Sequence, residues 1–346
     1  DKLMTRYEMA QIVAKAMAKG ANVDKLAAEF ADELDTLGVR VANLEKKADN
    51  VKVTGELRYK YMSKKGDANE NATFENDLRS RIWVTGQIND DWSYTGMIEN
   101  TQDFYGESAN KGDDEDTFFA RAYVEGKIGG LNVTAGRYNA FLANGNIYDD
   151  KVDGAEVSYG DKVKVTGFAG KATEVDGGNY AGGELAGAFG DLNLAAGYVN
   201  YKDLNKDDIG KGLDNAIWYV GADYTMGDVN LSGMYLKGDM SCNDVDEKVL
   251  DDDGWTVGLA YKGAEATEVG SWGLFANYYD LGGQTYIVHT TDANTFDGDG
   301  FKGYGVGANY TFAKNIVGTV AYYDTENKLN SKVDDQRVWA DLTFTF

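Results

Sequence analysis

The chain has 346 residues, with 34 Lys and Arg against 57 Asp and Glu for a formal charge of -23, and it holds 43 Gly, 23 Tyr, 14 Phe, 6 Trp and no Pro. Such acidity argues against nucleic-acid binding and against steering to an anionic surface, and it fits a solvated surface or an aqueous channel that tolerates cations. A mean hydropathy of -0.46 is too polar for a bundle of membrane helices, yet strands that meet lipid only at every second residue would leave such a value.

Thr5-Arg6-Tyr7-Glu8 opens a helix. Thr5 is placed to cap it and Glu8 to complete a capping box, while Met9, Ile12, Val13, Ala16 and Met17 form an apolar face. Gly20 and Asn22 end it. From there Val23, Ala27, Phe30, Leu34, Leu37, Val41, Leu44 and Ala48 recur at alternating spacings of four and three, a heptad seam that calls for partner helices. A short oligomeric coiled coil over residues 21–50 is the favoured reading, and a helix packed back on its own domain is the alternative. Gly38 is where that helix is weakest.

Residues 3–19, LMTRYEMAQIVAKAMAK, resemble the closing helix of an S-layer homology domain, whose signature is a Thr-Arg-x-Glu start before a small and apolar helix. The resemblance implies that residues 1–20 are the C-terminal fragment of such a domain. It also implies that Arg6 helps recognise an anionic or pyruvylated cell-wall polymer, or polyamine-modified peptidoglycan. The local alternative for Arg6 and Glu8 is a cap and a surface salt bridge. Such a domain, then a coiled coil, then strands ending in Phe is the order found in outer-membrane tethering porins of diderm Firmicutes, the Negativicutes type.

From residue 51 onward sixteen strands are predicted, at about 51–63, 77–89, 92–104, 117–128, 131–138, 152–160, 162–170, 180–190, 191–202, 214–226, 228–239, 254–262, 269–280, 301–312, 315–326 and 334–346. Tight turns such as Gly129-Gly130, Gly160-Asp161, Gly190-Asp191 and Gly227-Asp228 alternate with longer polar connections, among them 64–76, 203–213 and 281–300. Short turns on one side and long loops on the other are the habit of an outer-membrane barrel with its short side in the periplasm. An even strand count places both ends of the barrel, and the stalk, on that side. The fold expected over residues 51–346 is therefore an all-β transmembrane barrel of 16 antiparallel strands, preceded by an α-helical coiled-coil stalk. Its export would require a leader, so the start at Asp1 is read as processed, trimmed or partly disordered.

Strand period sets the facing. Val53, Leu57, Tyr59 and Tyr61 would face lipid, and Lys52, Thr54, Glu56, Arg58 and Lys60 the lumen. Leu78, Ile82, Val84 and Ile88 point out, and Arg79, Arg81, Thr85 and Gln87 in. Charges on a lipid face would cost about 2–4 kcal/mol each near the midplane, so they must line water. Arg58, Lys60, Arg79, Arg81, Arg121 and Arg137 thus gather into a pore-lining basic wall, although Arg137 shares its face with Leu131, Val133 and Ala135 unless the strand bulges. The alternative role of these Arg residues is stability of the wall.

In strand count, and in Gly136-Arg137-Tyr138 before a loop, the chain resembles general trimeric porins. That resemblance implies that 139–150 folds inward with Asp149 and Asp150 as a negative rim, which would set a transverse field against the basic wall. It also implies a homotrimer. The C-terminal strand, with Val338, Ala340, Leu342, Phe344 and Phe346 on one face, needs an edge partner and is expected to seal against 51–63. Its terminal Phe346 resembles the signal read by the outer-membrane assembly machinery. No nucleophile, base and oxyanion donor assemble at recognisable spacing, Cys242 lacks a partner thiol, and His289 lacks clustered ligands, so neither an enzyme nor a cofactor or metal is expected. Acidic loop clusters lack the full calcium-loop pattern. The function read from these features is a general diffusion porin for ions and small hydrophilic solutes, with a cation bias, that tethers the outer membrane to peptidoglycan. A structural tether with a plugged barrel is the rival.

Overall fold

The computed structural model describes residues 4–18, 24–30, 32–34, 36, 50–69, 73–104, 117–204, 212–242 and 250–346. The chain divides into two units, Asp1–Lys52 and Val53–Phe346.

In the first unit α1 (Arg6–Ala18) starts on the expected capping box. Thr5 N donates to Glu8 Oε2 at 2.9 Å and Glu8 N donates to Thr5 Oγ1 at 3.3 Å, which satisfies two of the helix's orphan amides. Donation by Thr5 N, and by Thr5 Oγ1 at 3.0 Å, to Glu8 Oε2 holds the Glu8 carboxyl below its usual range. A second short helix, α2 (Asp24–Glu29), carries Ala27. Phe30 just beyond it is buried against Ala10 and Val13 of α1, with Met9 and Leu34 alongside. At Phe30 and Leu34 the predicted seam therefore folds back on α1, the alternative of the two packings, and no long helical stalk is seen among the described residues. Val23, Leu37, Val41, Leu44 and Ala48 lie outside them.

The second unit is a closed antiparallel barrel of sixteen strands, each paired with its sequence neighbours and the first with the last. The strands are β1 (Val51–Lys65), β2 (Thr73–Gln87), β3 (Trp92–Asp103), β4 (Phe118–Ile128), β5 (Leu131–Leu142), β6 (Tyr148–Tyr159), β7 (Val163–Ala172) and β8 (Asn179–Phe189). They continue as β9 (Leu192–Leu204), β10 (Leu213–Met226), β11 (Val229–Cys242), β12 (Asp253–Lys262), β13 (Trp272–Gly282), β14 (Gly300–Ala313), β15 (Ile316–Asn327) and β16 (Asp334–Thr345). Closure leaves no unpaired edge. β16 meets β1 in the register Glu56↔Thr345 through Lys65↔Gln336, and Gly55 and Phe346 exchange backbone hydrogen bonds of 2.7 and 3.0 Å. The Phe346 ring lies over Gly55, where a Cβ would stand 2.2 Å from it, so a side chain at position 55 would displace the terminal ring.

The largest difference from the sequence reading lies at 139–150. Asn139–Leu142 continue β5 and Tyr148–Asp150 begin β6, so that only 143–147 form the connection. The reason is period: Tyr138, Ala140 and Leu142 alternate onto one buried face and extend the strand four residues past its expected end. Ala143 and Asn144, both at φ +54°, then turn the chain within a few residues.

Candidate functional site

The interior of the barrel has two unlike arcs. On the inner faces of β5 to β14 the half nearer the long connections is apolar and buried: Tyr148, Tyr201, Ile217, Leu236, Leu281 and Phe301 are among those fully enclosed, within one continuous cluster. That half is core, while the half nearer the tight turns carries Lys164, Glu184, Asn193 and Asp223 around a hollow of about 360 Å³.

The core is closed over by the connection between β13 and β14, residues 283–299, which we term the strap. Between β6 and β13 lie seven steps around the ring, so contacts of the strap with the β5–β6 connection cross the interior. The crossing is made by backbone: Ile287 N and Val288 N donate to Ile147 O at 2.9 and 3.1 Å, Asp149 N donates to Val288 O at 2.9 Å, and Thr290 N donates to Gly145 O at 2.9 Å. Side chains tie it further. Thr290 Oγ1 donates to Asp149 Oδ2 (2.6 Å), Asn294 Nδ2 to Asp335 Oδ2 (3.2 Å), an Arg337 guanidinium nitrogen to Asp292 O (2.9 Å), and Asn215 Nδ2 to Gln284 O (3.0 Å). Tyr286, Ala293 and Phe296 are buried in it. His289 is enclosed by Tyr279, Tyr286 and Phe301, with ring centroids at 5.4, 6.1 and 5.4 Å. Its Nδ1 accepts from Thr291 N (3.0 Å) and its Nε2 lies 3.1 Å from Asn146 Oδ1, so Nε2 is the nitrogen that carries the proton. Burial lowers its pKa to about 3 and keeps the ring neutral.

The other arc, on β1 to β4 and β16, is charged. Lys60 Nζ lies 2.5 Å from Asp77, Arg79 lies 2.8 Å from Glu56, and Arg81 lies 2.5 Å from Glu99. Arg58 and Lys60 sit over the ring of Trp339 at 5.4 and 5.5 Å, and the indole nitrogen donates to Asp341 (2.8 Å). Among the described residues Arg58 Nε has no hydrogen-bond partner, and neither does Arg79 Nε. Arg121 donates to Ala120 O (2.8 Å) and to Asn139, and it stands in the field of Asp150, Glu99 and Asp149. On the strap Asp292 stands in the field of Arg58 and Lys60. Its burial pushes its carboxyl above the usual range, against the pull of those two cations. Beside Arg121 a hollow of about 260 Å³ is lined by Trp83, Tyr123, Glu125, Tyr138 and Glu156.

Five of the six basic residues singled out in the sequence thus lie together on the charged arc, and Arg137 does not. It pairs in register with Ala122 and Asp153, and donates two bonds of 2.7 Å to Asp153 on the outer face, as its parity required. Asp149 and Asp150 lie on β6 rather than on the loop itself, but the 143–147 connection does turn inward, with Asn146 Nδ2 3.7 Å from Met234 Sδ on β11, and the strap meets it there. The sequence held a signal for the strap: the apolar run Tyr286-Ile287-Val288 inside a long connection that is otherwise polar. Arg6 is engaged within its own unit, with Glu33 Oε1 at 2.6 Å, Glu29 O at 2.9 Å and the Phe30 ring at 5.0 Å.

No family model matches the sequence, and no curated relative matches it. Solved structures do share its fold. The trimer form of in-vitro folded OmpT, an outer membrane protein of Vibrio cholerae, is 18% identical over 86% of this chain and 99% of its own, with a TM-score of 0.54. OprB of Pseudomonas putida at high pH is 11% identical over 88% and 96%, with a TM-score of 0.62. Salmonella typhi OmpF in complex with daunomycin is 14% identical over 86% and 97%, with a TM-score of 0.59. At these identities the likeness is one of fold: a 16-stranded antiparallel barrel of the kind found in bacterial outer-membrane porins.

Proposed function

We propose that the protein is a diffusion porin of the outer membrane, which lets ions and small hydrophilic solutes pass between the charged arc and the strap. The observation that carries this reading is that Arg58 and Lys60 stand in the field of Asp292, and Arg121 in the field of Asp149 and Asp150, so that cations of the wall face carboxylates of the strap and of β6. Opposed charges across a narrow wet passage set a transverse field that orients polar solutes and disfavours apolar ones. With a net charge of -23 the passage as a whole favours cations. The reversal potential in a salt gradient across a planar bilayer tests this bias, and a clear anion preference contradicts it.

Two tiers of outward aromatic residues support membrane insertion. Trp218 and Tyr224 on β10, Trp255 and Tyr261 on β12, and Tyr304 and Tyr310 on β14 are each six residues apart and exposed, which separates the tiers by about 20 Å along the strand. By analogy with the trimer form of OmpT the protein assembles as a homotrimer. Its N-terminal region lies in the periplasm, with residues 1–20 as a fragment of an S-layer homology domain and Arg6 contributing to recognition of peptidoglycan or an attached polymer. Retention of the full chain on purified cell wall, lost with Arg6→Ala, tests the tether. Unchanged retention assigns Arg6 to its internal pair with Glu33.

A second reading, a structural tether whose barrel does not conduct, is favoured by the apolar cluster that fills the β5–β14 arc. Single-channel recordings separate the two.

A further inference from the structure

Nearer the tight turns, the inner faces of β7 to β10 form a grid with unlike charges at its two ends. Ala188 N donates to Lys162 O, and register carries that row through Asn193 to Asp223. The next row is Lys164, Ala186, Ala195 and Gly221, and the one above it is Thr166, Glu184, Gly197 and Tyr219. The middle of the grid thus offers little beyond methyl groups and hydrogen, which leaves the hollow of about 360 Å³, a volume at the lower end of the range for small-molecule sites.

The charges around this floor are fixed but not cancelled. On β7, Lys162 and Lys164 form no ion pair among the described residues; Asp161 in the turn lines the hollow beside them, and Lys164 stands in the field of Glu156. On β10, three strand spacings or about 14 Å away, Asp223 accepts from Asn230 Nδ2 at 2.9 Å and from Asn193 Nδ2 at 3.4 Å, amides that hold the carboxylate and leave its charge in place. Glu184 stands above the floor. Gly197 lets the Tyr219 ring lie across it, where a Cβ would be 2.5 Å from that ring, and the phenol donates to Glu184 Oε2 at 2.5 Å. The second carboxylate oxygen is left for a ligand. Beside Glu184 in register Thr166, 6% exposed, carries a hydroxyl with no hydrogen-bond partner among the described residues.

A solute of one sign is repelled at one end of this field, and an uncharged one leaves both ends unmet, whereas a zwitterion lying along the rows satisfies both. Length selects among zwitterions. Two extended residues span about 7 Å, and a lysine stem and an aspartate reaching in from either side cover the remainder; a free amino acid meets one end only. We propose that this hollow binds dipeptides with free termini, the carboxylate at Lys162 and Lys164, the ammonium at Asp223, and the free oxygen of Glu184 accepting from the peptide N–H. The inference rests on the porin reading above, which lets solutes into the lumen, and adds to it a solute class held at a defined place.

The test titrates the full chain, purified in mild detergent, with alanyl-alanine in a calorimeter. Saturable binding is expected, weakened about tenfold or more for N-acetyl-alanyl-alanine, for alanyl-alanine amide and for free alanine. These comparisons vary the ligand and so do not depend on how any substitution folds. In Asp223→Asn the preference for alanyl-alanine over its N-acetyl form should vanish and that over the amide remain; Lys162→Gln combined with Lys164→Gln should do the reverse. The same preparation in a planar bilayer reports conductance. Channels that conduct but bind no dipeptide, or bind the blocked forms as tightly as alanyl-alanine, overturn the inference and leave the porin reading standing, as do preferences that neither variant alters. A barrel that carries no current overturns the porin reading and the inference with it.

Discussion

The two arcs of the lumen are built from the same alternating strands and end as opposites. On β9 to β13 both faces are apolar over the half nearer the long connections, as in Ile217-Trp218-Tyr219-Val220 and Met234-Tyr235-Leu236, with Ile217, Tyr219, Met234 and Leu236 turned inward and buried. On β1 and β2 only the outer face is apolar, and the inner one carries Glu56, Arg58, Lys60, Arg79 and Arg81. A barrel wall whose inner face is apolar behaves as a domain core and draws in a strap to cover it; a wall whose inner face is charged must keep water. On the proposed function solutes follow the charged arc, and the strap is both the lid of the core and the acidic bank of that route.

The largest effect expected from breaking this asymmetry is removal of the strap. Replacing residues 284–298 by a short Gly-Ser turn should at least double single-channel conductance, since a backbone crossing is lost, and should expose the apolar cluster to a hydrophobic dye. Truncation within the core comes next. Ile217→Ala, at a position with no solvent exposure, should destabilise the barrel by about 3 kcal/mol in a urea titration from detergent, whereas Arg81→Ala should leave stability nearly unchanged and strengthen cation preference. A smaller electrical effect is expected at the acidic bank: Asp292→Asn should reduce cation preference in the reversal potential, and Arg58→Ala should raise it.

The pH dependence of the strap sharpens the contrast further. His289 has a pKa near 3 when folded and 6.5 when free, so between those values the released strap binds a proton that the seated one lacks. Its contribution is complete above pH 6.5 and is lost as the pH falls towards 3. Protonation also places a second N–H on Nδ1, against the Thr291 amide. Asp292, with its carboxyl raised by burial, works in the opposite sense and stabilises the seated strap as it takes up a proton. Amide exchange at 287–291, corrected for intrinsic rates, should therefore show less protection at pH 5 than at pH 7.5, and His289→Gln should remove most of that difference.

Much of the fold was legible because lipid enforces a period of two on one face at least. Sixteen strands, their turns and the β1–β16 seal follow from Val53, Tyr59 and Tyr61 against Lys60 and Arg58, and from the apolar face of β16. What could not be read was the inner face where it is apolar. A strand with two apolar faces loses its alternation, and β5 then looks four residues short because Tyr138, Ala140 and Leu142 resemble the lipid-facing pattern. The strap was hidden for the complementary reason: a connection rich in Thr, Asp, Asn and Gly reads as solvated, and only Tyr286-Ile287-Val288 betrays burial. Arg137 was counted with the pore-lining wall although its parity beside Ala135 spoke against it, and its pairing with Asp153 places it on the outer wall.

The central claim, that solutes move along the charged arc and not through the apolar one, is tested most directly by thiol blockade of single channels. In a Cys242→Ser background, Arg81→Cys and Ile217→Cys are each treated with a bulky methanethiosulfonate while current is recorded. The account predicts that modification at position 81 cuts conductance sharply and that position 217 does not react in the open channel. Blockade at 217 with none at 81, or no conductance before treatment, would contradict it.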